Sequence, residues 1–365
     1  MTFEKLIKDD FFHLPKDIPP KNHYREFIFG QFEEYLTQLK KIQDLTIQFS
    51  GSNKPNNISN SIKIQTHFIE GLKHTINLYY DGQPANAYEE FSKTIEYRKV
   101  KFKKILNIGT FDLNENFYRI RLKEENFPLN SSEMFHIPFQ MRGKVSTQRY
   151  SIPGYPSLYL AKTIYVAWEE LKRPSLNKFQ AVRLQNKEKI RYLDLTANNL
   201  TENLLSANSY KYLMTWPLIA ACSIKVQEND DSFKPEYIIP QLLLQWTRNN
   251  EEIDGIKYIS THINYKNIEN IGDLYNLVLP VKENKDEGYC SKLSSLFEIT
   301  ESVSNQLLEL SNGGQIYLNS REDNNKIDAK IPPIEFINGR KTKYSSSVLG
   351  KLERTLDFMS LKKLL

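Results

Sequence analysis

The sequence predicts an α+β protein in which a mixed β-sheet is flanked by helical regions at both ends of the chain. Apolar residues recur every three or four positions through about the first hundred residues, as they do in amphipathic helices. Short β-type runs replace this spacing near residue 104, and helical spacing returns after about residue 290. We therefore expect a helical N-terminal region at 1–105, a mixed domain at 106–290 and a C-terminal helical extension at 291–365.

The N-terminal region contains three stretches with helical spacing of apolar residues, at 32–45, 64–79 and 88–95. Their amphipathic faces predict helices that pack on one another or on a neighbouring domain. The simplest interpretation is a helical accessory domain.

The middle of the chain begins with a strand at 117–122, where residues alternate strictly. Tyr118 and Ile120 share one face of this strand, and Arg119 and Arg121 share the other.

A second strand at 158–161 leads directly into a predicted helix. Thr163 is placed to cap that helix, and Pro174 lies just beyond its end. The remaining expectations are strands at 191–195, 220–226, 255–261 and 274–280, a helix at 240–246, and C-terminal helices at 296–310 and 348–359.

Composition and charge exclude several classes of protein. Lys and Arg number 49 and Asp and Glu 44, and a net charge of +5 gives no indication of a nucleic-acid-binding surface. No apolar run approaches the roughly 18 residues of a membrane span, and no secretory signal is visible. The two isolated cysteines, Cys222 and Cys290, and six scattered histidines predict neither a disulfide framework nor a metal site. These features favour a cytoplasmic protein.

Three separated segments carry residue types that suit an enzymatic site. Arg119 stands beside an aromatic residue on a strand face, where its planar guanidinium could hold a phosphate. Glu170 lies near the packed side of its predicted helix, and Ser260 lies in the strand predicted at 255–261. Each residue also has a structural interpretation, as a sheet-edge charge, half of a surface ion pair, or a hydroxyl bonded to the backbone.

Taken in order, these segments resemble the RES family, which is named for its Arg, Glu and Ser residues. Members combine an aromatic–Arg strand, an Arg–aromatic–Ser turn with a following Gly, a Tyr-Leu-Ala strand followed by a Glu, and an Asp-Gly-Ile-x-Tyr-x-Ser strand. The matching residues are Tyr118-Arg119, Arg149-Tyr150-Ser151 with Gly154, Tyr159 with Glu170 eleven residues later, and Asp254 to Ser260. The resemblance covers about residues 110–265. The segment at 123–148 is longer than in compact members, and both flanking regions lie outside the common domain.

The resemblance implies an enzyme that cleaves NAD⁺ at the nicotinamide–ribose bond, with a fold similar to that of ADP-ribosyltransferase toxins. NAD is then the substrate, and no metal is required. Arg119, Glu170 and Ser260 would be catalytic. Arg119 would hold the pyrophosphate, Glu170 would stabilise the developing oxocarbenium ion, and Ser260 would bind the carboxamide or orient Glu170.

Tyr159, Arg149 and Tyr150 are the NAD-binding residues that the resemblance implies. Tyr159 offers a flat ring to the nicotinamide or ribose, and Arg149 offers a second contact to the pyrophosphate.

Several alternatives stay open at this point. Periodicity does not separate Arg119 from Arg121 or Glu169 from Glu170, and only the family spacing favours 119 and 170. The acceptor could be water, phosphate, or a protein or nucleic acid that becomes ADP-ribosylated, and an inactive RES-like binding module is a further interpretation. We expect restraint by an antitoxin or by the N-terminal region, and the oligomeric state, including a homo-oligomer, is left open.

Overall fold

The computed structural model describes residues 5–6, 9–47, 56–102, 106–123, 127–196, 207–265, 271–312 and 321–364. The chain forms two compact units that interleave along the sequence. The helical unit comprises Met1–Ile108, Gln148–Tyr150 and Leu193–Trp246, and the sheet unit comprises Gly109–Thr147, Ser151–Tyr192 and Thr247–Leu365.

Helices and strands both occur in quantity, which confirms the α+β class. The helices are α1 (Tyr24–Lys40), α2 (Ile58–Tyr80), α3 (Pro84–Phe102), α4 (Ile164–Glu170), α5 (Ala207–Cys222), α6 (Ile238–Asn249), α7 (Ser291–Leu296), α8 (Asn305–Asn312), α9 (Arg321–Lys330) and α10 (Val348–Phe358). The strands are β1 (Thr46–Ile47), β2 (Asn56–Asn57), β3 (Ile108–Phe111), β4 (Asn116–Leu122), β5 (Ser157–Ala161), β6 (Phe179–Asn186), β7 (Ile190–Leu195), β8 (Gly255–Tyr258), β9 (Asn276–Pro280), β10 (Phe297–Ile299), β11 (Ile334–Ile337), β12 (Arg340–Thr342) and β13 (Lys362–Lys363). None of the described helices has both the length and the apolar character that a membrane span requires.

The helical unit is built around Trp216, a fully buried residue of α5. Tyr35 of α1 stacks on its indole with ring centroids 5.3 Å apart. The Tyr35 hydroxyl also donates a hydrogen bond to the Leu213 carbonyl at 2.8 Å, and Gln65 of α2 donates one to the Met214 carbonyl at 2.9 Å. Helix α5 is therefore held by residues that precede it by more than a hundred positions.

The strand predicted at 220–226 is wrong, because α5 continues to Cys222. Ala220 is completely buried on this helix, and beyond it Ile224 forms only an isolated bridge to Lys16. A helix that is buried on all sides lacks amphipathic spacing, so periodicity alone does not distinguish its apolar run from a strand.

In the part of the chain that the structure describes, nine strands form one sheet in the order β13-β10-β6-β4-β5-β9-β8-β7-β3. Strand β4 pairs antiparallel with β6 over seven residues, and β5 pairs antiparallel with β9 over five. The strands predicted at 117–122, 158–161 and 191–195 are confirmed, and those predicted at 255–261 and 274–280 are shorter, at Gly255–Tyr258 and Asn276–Pro280.

The two faces of this sheet bury different kinds of side chain. One face carries the apolar core of the sheet unit, which includes Phe117, Leu158, Leu160, Val182, Leu184, Leu277, Leu279, Phe297 and Ile299. The opposite face carries Tyr118, Ala161 and Asn276, which the strand register places side by side. Helices α4 and α10 pack on this second face and on each other.

The C-terminal segment, residues 334–364, is held on the second face by buried polar contacts. Arg183 of β6 donates from Nε to the Leu356 carbonyl at 2.9 Å and from Nη2 to the Met359 carbonyl at 2.7 Å. These bonds satisfy carbonyl groups at the C-terminal end of α10, where a positive charge is also favourable. Tyr118 donates to the Asp357 carboxylate at 2.5 Å, which fixes the same end of the helix to β4.

The C-terminal region is only partly helical, so the helix predicted at 296–310 is wrong over its first half. Phe297–Ile299 forms strand β10, which pairs antiparallel with β6. The side chains of Phe297 and Ile299 are buried in the apolar core, and this long-range packing decides their conformation.

The compact units also differ in composition from the segments expected at 1–105, 106–290 and 291–365. Helix α5 and most of α6 belong to the helical unit, whereas residues 291–365 belong to the sheet unit. Local patterns locate individual elements, but long-range packing decides which unit an element joins.

Expression of residues 106–365 alone is expected to give an insoluble fragment. Without α1 and α2, the buried Trp216 loses the stacked Tyr35 ring, and α5 exposes an apolar surface. The measurement is the soluble fraction and the size-exclusion profile, compared with those of the full chain. A soluble monomer with a cooperative thermal transition would contradict this account and would indicate a separable N-terminal domain.

His136 of the sheet unit is buried in its neutral form. Its Nδ1 lies 2.8 Å from the Ile137 carbonyl, and its Nε2 accepts the Cys290 N–H at 3.0 Å, which fits a proton on Nδ1. Burial lowers the pKa of His136 to about 4, so protonation favours the unfolded chain. The contribution of neutral His136 to stability is therefore complete above the unfolded pKa of about 6.5 and is lost as the pH falls toward 4.

We expect the melting temperature of the wild type to fall more steeply between pH 6.5 and pH 4 than that of His136→Gln, which has no proton to gain. The difference in slope should reach about 1.4 kcal/mol per pH unit in the free energy of unfolding. The measurement is thermal unfolding of both proteins across this range. Parallel curves would show that His136 is not the titrating group.

Candidate active site

The candidate site lies at the β4–β5 gap, the place where strands β4 and β5 separate. Among the described residues these strands pair only at Tyr118 and Ala161, and the next antiparallel pair would join Ile120 to Tyr159. Instead, Arg119 reaches across the gap and donates from Nη1 to the Tyr159 carbonyl at 2.9 Å. A side-chain hydrogen bond thus takes the place of the backbone ladder.

Arg119 is a half-buried cation with unused hydrogen-bonding groups. Its Nε is buried without a hydrogen-bond partner, and Nη2 has none among the described residues. Burial and the neighbouring charge of Arg121 lower the pKa of Arg119 to about 10, while the Tyr159 phenol acts in the opposite direction. The guanidinium therefore remains charged at neutral pH. A buried polar atom without a partner costs about 1–3 kcal/mol, so this position is not optimised for stability alone.

Arg121 has a different environment, although it shares the strand face of Arg119. It is exposed, and its Nη1 donates to the carbonyl of Glu133. Only Arg119 contacts β5 across the gap, and the structure therefore separates two residues that periodicity leaves equivalent.

Glu170 is the last residue of α4 and lies above the second face of the sheet. Its Oε1 accepts a hydrogen bond from Asn276 Nδ2 at 2.9 Å, and its Oε2 has no partner in the described part of the chain. Asn276 is 3% exposed and stands between Ala161 and Tyr258 in the strand register. The amide therefore fixes one carboxylate oxygen and leaves the other unpaired.

Glu169 is occupied by a structural ion pair. It is 3% exposed, and both of its oxygens accept hydrogen bonds from Arg173, at 2.9 and 2.8 Å. Such a two-point contact fixes the carboxylate and the guanidinium in one plane. Of the two adjacent glutamates, Glu170 alone has an unpaired carboxylate oxygen.

Helix α4 ends abruptly after Glu170. Lys172 and Arg173 both have positive φ angles, of 60° and 56°, which non-glycine residues rarely adopt. This turn brings Arg173 back to Glu169. Strain of about 1 kcal/mol or more at each residue is retained directly beside Glu170, as often occurs at functional sites.

Ser260 is completely buried and organises a turn. Its Oγ accepts the His262 N–H at 3.1 Å, and its own N–H donates to the Tyr265 hydroxyl at 3.2 Å. That hydroxyl donates to the Leu274 carbonyl at 3.1 Å. Burial raises the pKa of Tyr265 well above its usual value, and the charge of Glu170 adds to the effect. Ser260 is thus held by Tyr265, whose hydroxyl is in turn bonded to the Leu274 carbonyl.

The Asp-Gly pair that precedes Ser260 has structural contacts in β8. Asp254 accepts the Arg191 N–H at 2.9 Å, and a Cβ atom on Gly255 would lie only 2.5 Å from the Val278 carbonyl oxygen. Glycine is therefore required by the close approach of β8 to β9.

Arg149 and Tyr150 belong to the helical unit, unlike the other predicted site residues. Arg149 donates from Nη1 to the Cys222 carbonyl at 3.2 Å, and its guanidinium lies 5.2 Å from the centroid of the Tyr237 ring. Tyr150 is buried and forms a hydrogen bond with the Cys222 thiol. These contacts are structural, and NAD binding by the two residues stays a prediction.

Of the predicted residues that lie in the sheet unit, Arg119 and Tyr159 are in direct contact. Glu170 is bonded to Asn276, and Ser260 is bonded to Tyr265. Strands β4, β5 and β9 are consecutive in the sheet, but Arg119 shares the core face with Phe117, whereas Asn276, the anchor of Glu170, lies on the second face. The Arg119 guanidinium thus reaches the gap from the core face, and Glu170 lies over the second face.

Asn276 and Tyr265 are candidate functional residues that the sequence did not indicate. Neither belongs to a motif of the RES type, and each is defined by a contact to Glu170 or Ser260. Asn276 breaks the apolar run of β9, Asn276–Pro280, and a polar residue in a fully buried strand was the available signal.

Comparison with known proteins identifies a relative that matches most of the chain. No family model matches the sequence, and no solved structure matches it. A protein named "Putative toxin YopC" from Bacillus subtilis (strain 168) is 35% identical over 349 residues, which cover 90% of this chain and 75% of the relative. At this identity and coverage, the chain belongs to the protein family of Bacillus subtilis YopC.

Proposed function

We propose that this protein is a toxin that degrades NAD⁺ by breaking the nicotinamide–ribose bond. The observation that carries the proposal is that Arg119, at the β4–β5 gap, and Glu170, held by Asn276 on the second face, each have a terminal atom without a hydrogen-bond partner among the described residues. The name of the relative supports a toxic activity. The order and spacing of the RES-like segments support NAD⁺ as the substrate.

In this proposal Arg119 binds the pyrophosphate through Nη2, while its bond to Tyr159 fixes the guanidinium. The C1′–N bond breaks with its electron pair leaving on nicotinamide, and positive charge develops on the ribose. The free oxygen of Glu170 faces that charge, and Asn276 holds the carboxylate in place. Water or phosphate then forms the new bond to C1′.

Nicotinamide is a good leaving group, so the protein mainly has to position the substrate and stabilise charge. Tyr159 borders the gap and offers its ring to the nicotinamide or ribose. An activity of this kind requires restraint in its own cell. We propose that an antitoxin or the helical unit supplies it.

The direct test is to incubate the purified full-length chain with NAD⁺, with and without phosphate, and to identify the products. Free nicotinamide with ADP-ribose indicates hydrolysis, and nicotinamide with a phosphorylated ADP-ribose indicates phosphorolysis. Label from NAD⁺ appearing on protein or nucleic acid would favour ADP-ribosyl transfer. Complete recovery of NAD⁺ would contradict the proposal and favour a binding module.

Glu170→Gln is expected to remain folded and to reduce nicotinamide release roughly a hundredfold or more, since it removes the negative charge that faces the oxocarbenium ion. The control is Glu169→Gln. It should lower the melting temperature, because it weakens the two-point contact between the buried Glu169 and Arg173, but the folded enzyme should keep its turnover. If Glu169→Gln lost nicotinamide release and Glu170→Gln kept it, Glu169 would be the functional carboxylate.

Arg119→Lys is expected to raise KM for NAD⁺ by roughly tenfold or more, although the positive charge is kept. A lysine cannot both bond to the Tyr159 carbonyl and present a planar pair of donors to the pyrophosphate. The matched control is Arg121→Lys on the same strand face, which should change KM by less than about twofold because Arg121 is exposed. The measurement is steady-state kinetics of the wild type, Arg119→Lys and Arg121→Lys. An unchanged KM for Arg119→Lys would show that Arg119 does not bind the substrate.

A further inference from the structure

Helix α4, which carries Glu170 at its end, is only seven residues long. A helix of this length is not stable by itself, so its position depends on what surrounds it. Its first amide groups also need hydrogen-bond acceptors. Thr163 supplies one acceptor locally, because its Oγ1 accepts the Val166 N–H at 3.2 Å.

The other acceptors come from the C-terminal segment, almost two hundred residues later in the chain. Glu353 of α10 accepts the Ile164 N–H through Oε2 at 2.8 Å. The Tyr344 hydroxyl accepts the Tyr165 N–H at 3.4 Å and donates to the same Glu353 oxygen at 2.6 Å. The first two amides of α4 are therefore fixed by two side chains that also fix each other.

Both side chains are buried, so these contacts are not exchanged with solvent. Tyr344 is completely buried and Glu353 is 8% exposed. Burial raises the pKa of Glu353 to about 8, and the neighbouring carboxylates of Asp357 and Asp273 add to the effect, while the bonds from Tyr344 and Ile164 oppose it. At neutral pH the side chain is largely a neutral acid, and glutamine is its closest substitute.

The same segment also contacts the outer side of α4. Phe336 of β11 lies edge-on to Tyr165 with ring centroids 5.7 Å apart, and 6.2 Å from Trp168. The hairpin β11–β12 and helix α10 thus hold α4 at its start and along its length. The end of the helix, with Glu170, is bonded to Asn276.

We propose that Glu353 and Tyr344 are positioning residues for Glu170, although neither residue lies at the β4–β5 gap. The proposal rests on the proposed function for its effect on turnover. By fixing the first turn of α4, the two residues set the height and rotation at which Glu170 meets Asn276. A displacement of about 1 Å at a reacting group can cost about a hundredfold in rate.

The test compares Glu353→Ala, Glu353→Gln and Tyr344→Phe with the wild type, using the full-length chain. Glu353→Ala should lower kcat at least about tenfold and change KM by less than about twofold, because Arg119 and the gap are untouched. Glu353→Gln retains an acceptor for the Ile164 N–H and should recover most of the lost kcat at pH 7. The kcat of Tyr344→Phe should lie between those of Glu353→Ala and the wild type.

The matched control is Ser345→Ala, a buried change in the same segment at a residue whose hydrogen bonds go to Asp328 rather than to α4. Ser345 donates from Oγ to Asp328 at 2.8 Å, so its loss should lower the melting temperature but leave kcat unchanged. If Glu353→Ala fails to fold, Tyr344→Phe decides by the same criteria. A wild-type kcat in the folded variant, or an equal loss in Ser345→Ala, would overturn the proposal.

A second measurement separates this proposal from the proposed function. Hydrogen exchange of the peptide that covers residues 163–171 should be faster in Glu353→Ala and Tyr344→Phe than in Ser345→Ala, whether or not NAD⁺ is the substrate. If the wild type releases no nicotinamide but this pattern is found, the NAD⁺ activity is wrong and the positioning of α4 stands. If exchange is the same in all variants, the positioning is wrong.

Discussion

The separation of β4 from β5 is the constraint on which the rest of the candidate site depends. Each strand is paired along its far side, β4 with β6 and β5 with β9, so both borders of the gap are held by regular strand pairing. Strand β4 is further fixed by Phe117 in the apolar core and by Tyr118, which is bonded to Asp357. The gap is therefore built into the sheet before any ligand arrives. For the ligand that we propose, such a fixed gap would lower the free-energy cost of ordering the protein on binding.

Neighbouring residues of the same type have different roles at this gap, and their partners explain the difference. Glu169 lies beside Glu170, but both of its oxygens are bonded to Arg173. Arg121 shares the strand face of Arg119, but it is exposed and bonded to the Glu133 carbonyl. A residue whose polar atoms are all paired contributes to stability. A half-buried residue with unpaired terminal atoms is available to a ligand.

The sequence predicted the elements that carry local signals. Strict alternation located β4, and Thr163 and Pro174 delimited α4 closely. It did not predict β6, Phe179–Asn186, which is buried on both faces over most of its length and so shows little alternation. The predicted strand at 220–226 was wrong because the buried helix α5 also lacks an amphipathic pattern, so its apolar run resembles a strand.

The contacts that define the candidate site were also out of reach of local patterns. Asn276 and Glu170 are hydrogen-bonded although they are 106 positions apart in the sequence, and Glu353 and Ile164 are 189 positions apart. Motif spacing could indicate Arg119, Glu170 and Ser260 because it records residue types in order, but it does not record the amide and carboxyl groups that hold them. The grouping of α5 with the N-terminal helices likewise follows from the packing around Trp216.

The central proposal is that one ligand contacts both Arg119, at the β4–β5 gap, and Glu170, over the second face of the sheet. The most direct measurement is a crystal structure of the Glu170→Gln variant with NAD⁺, since this variant should bind the substrate without turning it over. We expect the pyrophosphate within hydrogen-bonding distance of Arg119 Nη2 and the nicotinamide ribose against residue 170. NAD⁺ bound elsewhere on the protein, with the gap unoccupied at saturating concentration, would contradict the account.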